Sequence, residues 1–395
     1  MGADDVECAN CARLRGAGKS SRELVLTVSL AFIVPAFAIT GVLTRMYHAR
    51  QEALAAEWFQ DGGRAIQTGN AAQAVAALRT SLAYAPDDTA AELRLAEAEA
   101  AIGHDAEARS YLDAVLAADS GNGAANLARA RLAVREQNIP DALRYYHNAF
   151  YGEWPDSEVN RPLQARLELS QFLLDRGESA DAEAELISLA AAAPPNDVEM
   201  HLRVGELFFR AGSPRHALDE FRLVLQTAPE NAYALKGAGS ACLQLGSFSE
   251  AERYLAQAGR AAPDDTATQE TLNEAQNVLE ADPFIRGLSE ETKQRRAQAA
   301  FQTAVARLHA CAAMLGQPLD SSSAPATDLQ AADARVQAMT PLLADAQMRA
   351  HPGQITDVMD LVFDIEKLTV SKCGEPQGTD LALLHLAQAA HGTGQ

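Results

Sequence analysis

Residues 58–86 read WFQDGGRAIQTGNAAQAVAALRTSLAYAP, and the placement of small residues in that stretch decides the fold. Trp58 is followed by Gly62, Gly69, Ala74, Leu78 and Pro86. Thirty-four residues on, Gly103, Ala108 and Leu112 repeat Gly69, Ala74 and Leu78, and Ala142, Tyr146 and Ala149 keep the register after another 34. A six-residue insertion around Ser157–Pro162 shifts the phase. The pattern returns at Gly177, Ala182, Leu186 and Pro194, then at Gly205, Gly212, Ala217, Phe221 and Pro229. Gly239, Gly246, Ala251, Leu255, Ala258 and Pro263 close the series. A fixed period of this length marks stacked two-helix units.

Each residue type has a mechanical reason. Gly62, Ala96, Ala130, Ser170, Gly205 and Gly239 carry almost no side chain, so the first helix of a unit can touch the second closely. Ala74, Ala108, Ala142, Ala182, Ala217 and Ala251 do the same from the second helix. A glycine after the first helix supplies positive φ. Proline ends the second, because it cannot continue the hydrogen-bond ladder. One such hairpin cannot bury its apolar face alone, so neighbours must stack.

The pattern resembles the tetratricopeptide repeat family, whose 34-residue units place Trp, Leu-Gly, Tyr, Ala, Phe and Pro at fixed offsets. Six units cover about residues 51–265. The third departs, with Gln137-Asn138 in place of the turn glycine and Trp154 where proline is expected. The resemblance implies an all-α chain, a right-handed superhelix of about six units, that binds proteins or peptides in a groove and is not an enzyme. Carried over position by position, the groove's first row is Phe59, Leu93, Leu127, Leu167, Leu202 and Lys236, and its second Ile66, Ala100, Val134, Leu174, Phe209 and Leu243. Between the rows stand polar residues: Glu97, Arg131, Arg135, Gln171, Asp175, Glu206 and Arg210. Such a lining suits an amphipathic helix or an extended apolar peptide. The competing reading is that these side chains pack inside the stack.

Upstream, Leu24–Thr44 reads LVLTVSLAFIVPAFAITGVLT without a charge, and a helix of that length spans about 32 Å. Pro35 should kink that helix without forbidding it. Arg13, Arg15, Lys19 and Arg22 precede the segment, against Arg45 and Arg50 after it. That bias puts residues 1–23 in the cytoplasm, a transmembrane helix at 24–44, and the repeats on the outer side of the inner membrane. A cleaved signal peptide ending at Ala36-Phe37-Ala38 is the alternative.

The 395 residues are 48 % hydrophobic but only 6 % aromatic, which favours helical layers. A net charge of −20 repels phosphate, so nucleic acid is excluded as a partner. Residues 266–395 read as a closing helical bundle, with helices at Thr266–Ala281, Ser289–Leu315, Thr327–Ala346, Thr356–Ser371 and from Thr379, and a linker at Gly316–Ala326. Thr266–Ala281 is expected to cover the last repeat's open face. Cys311 and Cys373 form a disulfide or remain two buried thiols, and closing that loop would stabilise the chain by about 4 kcal/mol. Cys242 belongs to the core. The segments Tyr145–Trp154, Asp282–Ser289 and Cys373–Gly378 resemble bacterial, acidobacterial-type, membrane-anchored proteins built on this repeat.

Other signals fail for want of context. Gly16-Ala17-Gly18-Lys19-Ser20 has Arg13 where a phosphate loop needs glycine, and no strand before it. Cys8 and Cys11 have metal-site spacing, but two ligands do not close a zinc site. No catalytic motif, cofactor motif or metal set is present in the sequence, and no small-molecule substrate is expected. The sequence therefore reads as a membrane-anchored interaction scaffold, for envelope assembly or secretion. Its alternatives are an accessory factor of a polysaccharide or lipid pathway, which would need clustered polar residues in a pocket, and a self-assembling subunit.

Overall fold

The computed structural model describes residues 9–158, 160–319, 327–343 and 353–392, so Cys8 and most of the 316–326 linker lie outside the described residues. The chain forms two compact units, residues 1–165 and 166–395. Among the described residues the regular elements are helices.

Unit 1 begins with α1, Ala9–Gln67, which runs unbroken through Pro35. The apolar segment and the first helix of the first repeat are thus one element. The reason is local: Ala53, Leu54, Ala55 and Ala56 are good helix formers and nothing caps the chain between. α1 is the one helix among those described that is long and apolar enough to cross a membrane, and its apolar part is buried against nothing in the chain. α2 (Ala71–Tyr84) folds back on it. α3 (Thr89–Ala101) pairs with α4 (Asp105–Ala118), and α5 (Gly123–Arg135) with α6 (Ile139–Tyr151).

Unit 2 takes most of α7 (Arg161–Asp175), then α8 (Ser179–Ala192), α9 (Val198–Arg210), α10 (Pro214–Thr227), α11 (Ala232–Gln244), α12 (Phe248–Ala261) and α13 (Thr266–Ala281). The turn glycines Gly69, Gly103, Gly177, Gly212 and Gly246 have φ between 72° and 85°. In the third repeat Gln137 takes the same left-handed conformation, φ 56°, although it carries a side chain. The close crossings lie where the period places them. A Cβ added to Gly62 would come within 2.6 Å of Leu78, to Gly205 within 2.9 Å of Phe221, and to Gly239 within 2.5 Å of Leu255. An aspartate or asparagine caps the first helix of four repeats and α13 after them: Asp88, Asn122, Asp197, Asn231 and Asp265 each accept from a backbone N–H two or three residues on.

The bundle that follows contains α14 (Glu290–Met314), α15 (Asp328–Met339), a 3₁₀ turn (Thr340–Leu343), α16 (Gln354–Cys373) and α17 (Thr379–Gly392). α13 packs on α12, the second helix of the last repeat, and α17 packs onto α13 in turn, with His385 Nε2 2.5 Å from Glu274 Oε1. Cys311 and Cys373 are joined, with Cα atoms 5.8 Å apart. Beside them Arg307 donates to Thr369 Oγ1 and to the carbonyl of Gly374. Its guanidinium also stands 3.3 Å from Glu366, whose side chain is wholly buried with neither oxygen hydrogen-bonded. Burial, reinforced by Asp380 and opposed by Arg307, pushes the Glu366 carboxyl up to about 8. Loss of water outweighs one off-axis cation.

Candidate functional site

In unit 1 the first helices of the three repeats and the insertion line one cavity of about 380 Å³. Four of the expected groove residues meet there: Ile66 from α1, Leu93 from α3, and Leu127 and Arg131 from α5. Arg94, Glu97, Trp154, Glu158 and Arg161 join them; of these five, Glu97 is a groove position expected from the repeat, and the other four are not. Phe59 does not reach the cavity. It packs on the core formed by Ala65, Leu78 and Leu95, and its ring carries the Arg94 guanidinium at 4.3 Å. Val134 is half-buried away from the cavity.

The segment that leads into the insertion is tied to α5 and α6. Gly123 donates to the Glu153 carbonyl at 3.0 Å, Glu153 donates to that of Gly121 at 2.7 Å, and Trp154 Nε1 donates to that of Ala149 at 2.8 Å. Trp154 lies against Gly123, where a Cβ would fall 2.2 Å from the indole nitrogen. The missing proline of the third repeat is thus replaced by a bridge back to the start of α5. Glu97 is reached by water yet surrounded by protein. That loss of solvation raises its carboxyl above the usual range, against the pull of Arg131, Arg94 and Arg161 and with a push from Glu158.

In unit 2 a second cavity, about 340 Å³, is lined by Leu202, Arg203, Glu206 and Phe209 from α9, Phe221 from α10, and Tyr233, Lys236, Gly237 and Ser240 from α11. Phe221 passes between two helices that yield to it. A Cβ on Gly237 would sit 2.4 Å from its ring, as Gly205 closes on the other side. Tyr233 is 80 % exposed at the rim. Lys236 bonds Asp265 at 2.9 Å, and the Asp265 carboxyl is held down at about 2, first by the Thr268 hydroxyl and then by Lys236. Leu167 and Leu243, both expected in the groove, are 1 % and 7 % exposed, pack inside the stack and line neither of the two cavities. Leu174 is half-buried outside the cavity. A readable signal marked both linings. Gly63, Gly123 and Gly237 are glycines that the repeat does not require, and each makes room for a lining side chain: Arg94, Trp154 and Phe221.

Sequence models of the tetratricopeptide repeat match residues 65–132 and 208–275, and 127–198 and 167–229, together more than half the chain. The chain belongs to the tetratricopeptide repeat family. Tetratricopeptide proteins are protein-interaction scaffolds. Structures similar to this one include PilF of Pseudomonas aeruginosa, 20 % identical with a TM-score of 0.41, covering 56 % of this chain and 97 % of that one. PilW, a type IV pilus biogenesis factor, is 20 % identical with a TM-score of 0.41, over 55 % of this chain and 98 % of its own. A tetratricopeptide protein of Cytophaga hutchinsonii is 15 % identical with a TM-score of 0.44, over 61 % and 93 %. At such identities the likeness concerns the repeat fold alone. No curated protein sequence matches the chain.

Reactive groups elsewhere are quiet. Burial, then Glu250, pushes the Cys242 thiol up to about 11, far from thiolate character. Among the described residues no three His, Cys, Asp or Glu side chains cluster to hold a metal.

Proposed function

We propose that this protein is a membrane-anchored scaffold whose repeats hold a partner protein through an apolar peptide segment. The observation that carries the reading is the unit 2 cavity. Phe209, Phe221 and Leu202 form an apolar floor, and the largely exposed Tyr233 stands at its rim. A lone aromatic so exposed beside an apolar recess is the arrangement that anchors a partner's side chain. In this reading residues 24–44 span the inner membrane, residues 51–265 form the array, and residues 266–395 close it. The basic residues before Leu24 support a cytoplasmic N-terminus. The disulfide beyond supports an oxidising outer compartment for the array, where cell-envelope assembly or secretion would employ such a scaffold. The competing view, that this surface joins copies of the chain, differs in what it would capture.

A photocrosslinking residue in place of Tyr233 in the full-length protein in native membranes tests this. A discrete crosslinked partner of a different sequence is expected there, and none from the exposed position of Ile187 on α8. Adducts from neither position, or only adducts to the chain itself, would remove the cavity as a partner site.

A further inference from the structure

The unit 1 cavity has a chemistry that an apolar peptide does not use. Three guanidiniums, from Arg94, Arg131 and Arg161, line it together with Glu97 and Glu158, in a chain whose net charge is −20. Concentrating arginine in one recess runs against that background. The wall is also built rather than accidental. Arg94 rests on the Phe59 ring and over Gly63, where a Cβ would fall 2.8 Å from its Nη1. Trp154 is seated on Gly123 and bonded to the Ala149 carbonyl. Arg161 and Glu158, 3.6 Å apart, arrive together on the insertion.

The sign pattern selects a ligand. A guanidinium fork matches a carboxylate bidentately. Glu97 and Glu158 accept hydrogen bonds from hydroxyl groups. Set against three guanidiniums, the two carboxylates leave about one net positive charge, which one carboxylate balances and a doubly charged phosphate or sulfate exceeds. A compound with one carboxylate and several hydroxyls satisfies both sets at once. A cavity of about 380 Å³ lies at the small end of small-molecule sites. The apolar patch of Ile66, Leu93, Leu127 and the Trp154 indole suits the C–H face of a sugar ring. We infer that the unit 1 cavity is a binding site for a carboxylate-bearing polyhydroxy compound of the uronic-acid class, one or two sugar rings in size. This does not rest on the unit 2 reading, which concerns other residues.

The test uses the full-length protein in detergent micelles. The chain has two tryptophans, so Trp58→Phe leaves Trp154, inside the cavity, as the sole indole reporter. D-glucuronate, D-glucose, acetate and a tripeptide with a free C-terminus are titrated by fluorescence and by calorimetry. Glucuronate should saturate with a Kd under about 1 mM, with each of the other three at least about tenfold weaker. Arg161→Gln, at an exposed position outside the core, should weaken glucuronate at least about tenfold with an unchanged Tm, and Glu97→Gln should weaken it while sparing acetate. No saturation by glucuronate, equal binding of glucose or acetate, a tripeptide that binds as well, or indifference to Arg161→Gln would each overturn the assignment.

Discussion

Replacing Glu366 by glutamine should stabilise the C-terminal bundle and flatten its response to pH. The folded chain holds this carboxyl at about 8, whereas its ordinary value is 4.5. The folded state therefore keeps the proton while the unfolded state gives it up. Between about pH 4.5 and 8 the unfolded chain binds fewer protons than the folded one, so stability falls as pH rises, by about 1.4 kcal/mol per pH unit. Stability is full below about 4.5 and this share of it is gone above about 8. At pH 7 the accumulated loss is about 3 kcal/mol. Glutamine keeps the shape and has no proton to lose, while Arg307 retains Thr369 and the Gly374 carbonyl. The assay is urea unfolding of the full-length protein from pH 5 to 8.5, followed by hydrogen exchange in α16. The wild type should lose stability steadily and level off near pH 8. The variant should be flatter and, at pH 7, more stable by up to about 3 kcal/mol. Some slope should survive in the variant, because burial also raises the Asp380 carboxyl. Parallel profiles for the two proteins, or a variant weaker at pH 7, would show that the carboxyl is ionised in the folded bundle and refute the reasoning.

Three further outcomes follow from the packing. Gly239→Val should cost about 1–3 kcal/mol, since even its Cβ meets Leu255 at 2.5 Å, whereas Gly259→Ala, on α12 with nothing within 4 Å, should gain about 0.5–1 kcal/mol; thermal melts of the two variants compare them directly. Gln137→Gly should stabilise the third hairpin by about 1 kcal/mol by relieving its left-handed backbone, read by the same melts, and a loss of stability would mean that the side chain has a role of its own. Cys311→Ser combined with Cys373→Ser should lower stability by about 4 kcal/mol in the chain-entropy account, and alkylation before reduction should label neither cysteine in the parent.

The period in the sequence was enough to place the hairpins, because the crossing position held by Gly62, Gly205 and Gly239 admits only a small residue, here glycine, alanine or serine. Cap and turn chemistry is equally open to reading, since an aspartate or asparagine two residues beyond Pro86, Pro195, Pro229 and Pro263 marks the start of the next helix. Groove membership was harder. Leu127 and Leu167 occupy the same repeat position, yet Leu127 lines the unit 1 cavity while Leu167 is sealed inside the stack, since a first helix presents apolar residues both to its neighbour and to the recess. The insertion was visible as a break in phase, but not the path that brings Trp154 back over Gly123. Nor could sequence show that Glu366 is sealed from water, for its neighbour Arg307 comes from another helix, far along the chain.

The unbroken α1 acts as a shaft. Its far end is gripped by the first repeat, where the Ala55 carbonyl accepts from Ser81, and its near end is the apolar stretch Leu24–Thr44. About ten residues lie between grip and stretch, some 16 Å of helix, with each residue turning the shaft by about 100°. Whatever holds residues 24–44 therefore sets the azimuth of the arginine-lined recess as well as its height. Deleting one residue from that length would swing the recess by more than a quarter turn, while inserting seven would lift it about 10 Å and leave it facing nearly the same way.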